Sequence, residues 1–378
     1  MIDFSLLLFF AFLLVYYTVF LIRIIVGIRI VEKSTGNNEI DEFVSVIIPF
    51  RNESDNILNC LRSLEQQCYP LEKFEVIFVD DFSTDGSREV LENEIKSPNI
   101  KMLKFENYNS LMAYKKQAVK FGIENSSGKI IVTTDADCTQ GKYWLKTILE
   151  YFDDDTALVS GPVEFESDGS LFSNLQKIEF AGLILTGAGL IGSGKPIICN
   201  GANLAYRKKI FEEVGGFSDQ ILLSSGEDEL LMQKIKRDTK DKIKFCWNKE
   251  GIVKTKSNTT IKEFYYQRKR WASKGMFYRD KKIIGELILI FLFYLNLILQ
   301  LLLGIFSSKL FLLTFIISLL IKSLLEFIIL KKGKENLFNT LKLIYFFPAE
   351  ILHIPYILIS AVSGLFGNFI WKERNLKR

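Results

Sequence analysis

Apolar positions crowd the two ends of this chain and, between them, fall into short runs separated by polar turns. At the amino end, residues 6–22 carry no charge and extension to Gly27 adds only Arg23, length enough for one crossing of a hydrocarbon core about 30 Å thick. Arg23, Arg29 and Lys33 follow this run, whereas a cleaved signal carries its positive flank in front, so the segment reads as a retained anchor. Three further apolar blocks, roughly 283–306, 310–330 and 341–366, close the chain. The pattern implies a transmembrane helix over 1–28, a globular domain over 29–257 and an amphipathic interfacial segment over 258–282. About three transmembrane helices over 283–371 and a basic tail over 372–378 complete it.

Within the globular part, Val44–Phe50 reads as a buried strand, and Asn52-Glu-Ser-Asp55 offers helix-start chemistry before Ile57, Leu58, Leu61 and Leu64 at helical spacing. Val76–Asp81 is a second strand, stopped by Ser83-Thr-Asp-Gly86, and Lys101–Phe105 a third. A helix over about Tyr114–Glu124 ends at Asn125-Ser-Ser-Gly128 and leads to a fourth strand starting at Ile130. Strands alternating with helices at this spacing predict an α/β, mostly parallel Rossmann-like sheet beside an α-helical transmembrane region, with ligands at the carboxyl ends of the strands. Asp80, Asp81, Asp135 and Asp137 all fall at such ends.

Composition narrows the chemistry. A net charge of +4 is too small to argue for nucleic acid, and the basic residues cluster beside apolar blocks, which the positive-inside rule explains. That rule puts the globular domain in the cytoplasm of a multi-pass protein of the inner or plasma membrane, and Lys331, Lys332 and Lys334 agree after two more crossings. The tail residues Lys372, Arg374, Lys377 and Arg378 agree only with a kinked or re-entrant last block, which Pro348 and Pro355 allow; a simple span is the alternative. Cys60, Cys68, Cys138, Cys199 and Cys246 show no paired short spacing and fit neither a disulfide frame nor a zinc site. His353 is the only histidine and lies in the last apolar block, so acid–base chemistry in the globular domain falls to carboxylates, Lys, Tyr or Cys.

Asp135 and Asp137 follow a buried strand. Two like charges that close repel unless a cation or solvent intervenes, and the pair suits a hard ion such as Mg²⁺ or Mn²⁺. Gly226-Glu-Asp-Glu-Leu-Leu231 opens a predicted helix running to about Lys236. There Asp228 either complements the helix dipole or serves as general base. Gln267, Arg270 and Trp271 of Gln267-Arg-Lys-Arg-Trp271 stand at i, i+3 and i+4 and share one helical face, with Arg268 and Lys269 expected on the lipid side. The glycines of Gly187–Gly192 fit a dinucleotide fingerprint, and Gly189–Lys195 fits a Walker A motif except for Pro196. The expectation is a flexible loop with Pro196–Cys199 entering a strand. A membrane-tethered oxidoreductase or NTPase using this loop is the competing reading.

In order, VSVIIPFRNE, VDDFSTDGS, TTDADC, GANLAYRKKIFEEVGGF, GEDELL and QRKRW resemble the family 2 glycosyltransferases, in particular the membrane-integrated Q-x-x-R-W type. That group includes cellulose, chitin, hyaluronan and poly-N-acetylglucosamine synthases, and ceramide glucosyltransferases are similar. The resemblance implies a GT-A fold and inverting, metal-dependent sugar transfer, with UDP favoured over GDP. The acceptor would be a lipid-linked molecule or glycan in contact with membrane lipid. It implies that Pro49, Phe50, Arg51, Glu53, Asp81, Lys115, Asp135 and Ala136 meet the nucleotide sugar and that Asp137, with Asp135, holds Mg²⁺ or Mn²⁺. Asp228 would deprotonate the acceptor, with Glu227 beside it, while Asn203, Gln267, Arg270 and Trp271 line the diphosphate and acceptor side. The first motif departs from the usual P-T-Y-N by having Phe50 and Arg51. Oligomeric state is left open by the sequence.

Overall fold

The computed structural model describes residues 2–105, 114–218 and 226–366, together with two short tail strands. It begins with α1 (Ile2–Lys33), the apolar anchor helix. The parallel half of the main sheet follows as β1 (Val44–Phe50), β2 (Phe74–Asp80), β3 (Ile100–Lys104) and β4 (Ile130–Thr133), separated by α2 (Ile57–Glu65), α3 (Ser87–Glu94) and α4 (Tyr114–Glu124). Every residue of β1 is buried, as expected for a strand covered on both faces, which is why it reads as a continuous apolar run. Register pairs Phe50 with Asp80 and Ile47 with Thr133, so β2 and β4 finish at the same edge as β1. Asp81 and Asp135, one and two residues further on, emerge together there.

Beyond Asp137 the chain runs through β5 (Cys138–Gln140), α5 (Trp144–Leu149), β6 (Thr156–Ser160) and β7 (Val163–Glu166), then α6 (Leu171–Gly192). β8 (Leu204–Arg207), α7 (Lys208–Glu213), α8 (Glu229–Asp238), β9 (Lys242–Phe245) and β10 (Val253–Lys256) follow. The main sheet has the order β3-β2-β1-β4-β8-β6-β9, and β8 is antiparallel to both β4 and β6. β5, β10 and β7 form a small second sheet. α9 (Ile261–Ala272), closed by a Thr260–Glu263 capping box, leads into α10 (Lys281–Phe306), α11 (Lys309–Asn336) and α12 (Phe346–Leu365). β11 (Phe369–Trp371) and β12 (Arg374–Leu376) pair in the tail, while Lys372, Lys377 and Arg378 lie outside the described residues. α12 continues through Pro355, and its 20 residues span about 30 Å.

Among the described residues, five segments are long and apolar enough to cross a membrane: α1, α6, α10, α11 and residues 343–365 around α12. α6 was not expected. Two-thirds of its most apolar stretch is buried (67%), against 17–28% in the other four, so protein rather than lipid covers it. Its glycines correct the loop reading: Gly187, Gly189 and Gly192 are helical, and the last two let α6 cross α1 closely. A Cβ on Gly189 would stand 2.6 Å from the carbonyl oxygen of Ile24, and one on Gly192 would stand 2.1 Å from that of Gly27. Backbone contact of this kind is what small residues provide between packed helices. Pro196–Cys199 joins no strand, and with no strand before the glycines and no helix opening after them, the phosphate-loop reading fails.

Candidate active site

The floor of the site is built by the turns after β1 and β2, which are bonded to each other. The Arg51 guanidinium donates to the carbonyls of Asp81, at 2.9 Å, and Phe82. The Asn52 amide donates to Ser83 Oγ at 3.1 Å, and the Thr84 amide donates to Asn52 Oδ1 at 2.9 Å. Asn52 and Phe82 hold left-handed φ values of 51° and 57°, a conformation costly for Phe that persists where surrounding bonds impose it. Asp81 is buried, and Glu53 accepts from the Asn56 side chain at 2.9 Å. Phe50 is buried edge-on against Phe78 at 6.4 Å, so its ring belongs to the core and not to an open nucleotide face.

At the end of β4, Ala136 is buried and the flanking Asp135 and Asp137 are part-exposed. The Cys60 and Cys138 thiols lie beneath them. Burial first, then the charges of Asp137 and Asp135, hold both thiols far above their ordinary pKa, so neither is a nucleophile. Glu53 adds to the effect on Cys60, which puts three carboxylates around one point. Hard carboxylate oxygens at a part-open strand end, with no imidazole or thiolate offered, fit Mg²⁺ or Mn²⁺.

Opposite this pair, Lys115 on the first turn of α4 reaches Asp135 Oδ1 at 2.7 Å and Glu227 Oε1 at 3.3 Å. Burial would lower the Lys115 pKa, but the two carboxylates outweigh it and raise it, so the ammonium stays charged. Burial likewise opposes the charge on Glu227, yet Lys115 and Lys116 bring its pKa down to about 2. Asp228 is the N-cap of α8: Oδ1 accepts from the Glu229 amide at 2.8 Å and Oδ2 from the Gly201 amide at 3.0 Å. One cleft is lined by Pro49, Lys115, Asp135, Gly201, Glu227 and Asp228. The helix-cap reading of Asp228 therefore holds, and the same residue lines the cleft.

Two groups absent from the sequence reading adjoin Asp228. Lys274, just past α9, is buried 3.7 Å from Asp228 Oδ1 and 3.2 Å from Glu229 Oε2. Glu229 also accepts from the Tyr278 hydroxyl at 2.9 Å, and burial, aided by Asp228 and opposed by Lys274, pushes its pKa up to about 7. The third acid of Glu227-Asp-Glu229 was the available signal; nothing local marked Lys274. A raised carboxyl pKa stabilises the fold below the unfolded value, and that contribution is lost as pH rises through the folded one. Thermal stability is therefore expected to fall between about pH 4.5 and 7 through this group. Differential scanning fluorimetry of Glu229→Gln should show a flatter profile over that window than the wild-type chain.

The Gln267–Trp271 stretch differs from expectation. Arg268 is not lipid-facing: it is buried, paired with Glu179 of α6, donates to Gln267 Oε1, and lies 4.3 Å from the centroid of Trp271. Trp271 stacks on Phe180 at 5.9 Å, and Gln267 Oε1 accepts from Asn258 at 2.9 Å. Arg270 lies near enough to Lys115 for its charge to oppose the raised Lys115 pKa. Asn203 is fully buried, its amide donating to Pro162 and Gly251 at 2.8 Å and accepting from the Trp144 indole at 3.0 Å. It braces the wall without facing the cleft.

Residues 45–215 match the family described as Glycosyl transferase family 2. A solved structure, a mannosyltransferase from Pyrobaculum calidifontis in complex with GDP-Man and Mn²⁺, aligns over 96% of this chain and 97% of that one, with a TM-score of 0.58 and 17% identity. Glycosyltransferase AglE of Haloferax volcanii is 32% identical over 195 residues, which is 49% of this chain and 59% of that protein. An undecaprenyl-phosphate 4-deoxy-4-formamido-L-arabinose transferase of Pseudomonas savastanoi is 34% identical over 100 residues, 25% of this chain and 28% of that one. The chain thus spans less than two-thirds of the length of these curated relatives. Residues 45–215, which carry β1 through β8 and most of the carboxylate-lined cleft, are a Glycosyl transferase family 2 domain with the GT-A fold.

Proposed function

We propose that the protein is a membrane-bound, inverting glycosyltransferase that moves a sugar from a nucleotide diphosphate sugar to a lipid-linked or glycan acceptor, with its cleft on the cytoplasmic side. The observation that carries this reading is that Asp135, Lys115 and Asp228 open onto one cleft at the carboxyl edge of the parallel strands. Pro49, Arg51, Glu53, Asp81 and Asp135 bind and orient the nucleotide on the rigid floor between the two bonded turns. Asp137 and Asp135 hold Mg²⁺ or Mn²⁺, which when bound offsets charge on the diphosphate. Lys115 and Arg270 supply further positive charge to the departing nucleotide.

Asp228 takes the proton of the acceptor hydroxyl as that oxygen attacks the anomeric carbon from the face opposite the diphosphate, which inverts the centre. Both Asp228 oxygens already accept one backbone N–H, and an ionised carboxylate has lone pairs to spare for a hydroxyl. The two amides therefore aim the base. UDP in preference to GDP is read from the sequence resemblance, and a lipid-linked acceptor is supported by the apolar helices and by the undecaprenyl-phosphate acceptor of the Pseudomonas relative.

A panel of UDP- and GDP-sugars with the purified full chain in native lipid tests the whole reading. Release of UDP with Mn²⁺ or Mg²⁺, abolished by EDTA, is expected. Release of GDP alone would overturn the base preference, and absence of turnover with every donor would overturn the activity.

A further inference from the structure

Below the cleft, α1, α6, α9, α10, α11 and α12 surround an open cavity of about 380 Å³ whose wall is mainly apolar. Its polar wall is uneven in sign. Glu179, Glu286, Glu326, Glu350, His353 and Tyr356 line it, and no Lys or Arg does so among the described residues. The cations that balance the carboxylates are not among the lining residues: Arg268 pairs with Glu179, Lys322 with Glu326 and Glu350, and Arg23 with Glu286. The cavity therefore offers an occupant carboxylate oxygens, a phenol and an imidazole, groups that accept hydrogen bonds from hydroxyls. A phosphate, itself almost wholly an acceptor and anionic, would face these oxygens with no cation beside it and would lose its hydration uncompensated.

The cavity is also within reach of the chemistry. Ile197 and Ile198 line it, while Gly201, whose amide holds Asp228, lines the cleft. From Ile198 to Gly201 is at most about 11 Å of chain.

Resting on the function proposed above, we infer that this cavity selects an acceptor lipid with an uncharged, hydroxyl-bearing head and no phosphate, its apolar chains held among the six helices. The test uses the full-length protein in phosphatidylcholine nanodiscs without nucleotide sugar, comparing dioleoylglycerol with undecaprenyl phosphate at equal mole fraction. Dioleoylglycerol is expected to raise the thermal midpoint saturably, and undecaprenyl phosphate is not. Gly182 lines the cavity, and a Cβ there meets no atom within 4 Å, so Gly182→Phe fills the space without a backbone clash. That variant should weaken dioleoylglycerol binding by about tenfold or more while keeping protection by nucleotide with Mn²⁺, which certifies its fold.

Equal or greater protection by undecaprenyl phosphate overturns the inference, as does protection by neither lipid. Dioleoylglycerol binding without sugar transfer from any donor would remove the proposed activity and leave this cavity assignment standing. Transfer to undecaprenyl phosphate alone would do the reverse.

Discussion

Asp228→Asn is expected to lower the rate of sugar transfer by about 10²–10⁴-fold while the chain stays folded, with a modest loss of thermal stability. The two effects separate because Asp228 has two structural duties and one chemical one. As N-cap of α8 it accepts from the Glu229 amide, and Asn, Asp and Ser cap helices about equally well. Its other oxygen accepts from the Gly201 amide, and since Asn has one acceptor oxygen where Asp has two, that bond is lost when the cap is kept, at about 1–3 kcal/mol. An amide has no basicity, however, and no histidine exists in the domain to take its place. Initial rates of product formation, paired with unfolding midpoints, distinguish the roles. Transfer at the wild-type rate in Asp228→Asn removes the base assignment, while a matched loss of rate and stability assigns the residue to the cap alone.

Asp137→Ala should remove the metal-dependent part of donor binding and cut transfer by about 10³-fold, the scale expected when several kcal/mol of charge compensation at the diphosphate is lost. The side chain is part-exposed and its neighbours Ala136 and Cys138 are buried on their own account, so little packing goes with it. The readout is the extra protection that Mn²⁺ gives to UDP-bound protein against unfolding, present in the wild-type chain and absent in the variant. Asp135→Ala is a different experiment, because Asp135 also holds Lys115 at 2.7 Å and its loss leaves that ammonium with Glu227. Retention of the Mn²⁺ increment in Asp137→Ala would move the ion elsewhere.

The parallel half of the sheet was legible because each strand carries its own signal. A strand buried on both faces has to be apolar throughout, and Gly, Asn and Ser stop it, so β1 and α4 lie where the pattern put them and Asp81 and Asp135 arrive at one edge. Lys115, Glu227 and Asp228 followed once the motifs were recognised, and they meet Asp135 in one cleft. Motif membership was a poorer guide to exposure. Asn203 and Phe50 belong to motifs yet face the core, whereas Lys274 and Glu229 adjoin Asp228 without belonging to the expected set.

What the chain determined by itself was the kind and order of the elements from β1 to β4, the apolar helices at its two ends, and the acidic strand ends, all of which arise from periodicity among near neighbours. Which way a helix turns is not local. Arg268 and Arg270 differ by two positions on α9, and only the presence of Glu179 on α6 and Phe180 under Trp271 sends the first inward, leaving the second on the side of Lys115. The glycines of α6 read as a loop until α1 lies across them, because a missing side chain means freedom in an isolated segment and close contact in a packed one. Tertiary packing decided these cases, since burial of a charge or a bare backbone is favourable only when a particular distant partner is there to meet it.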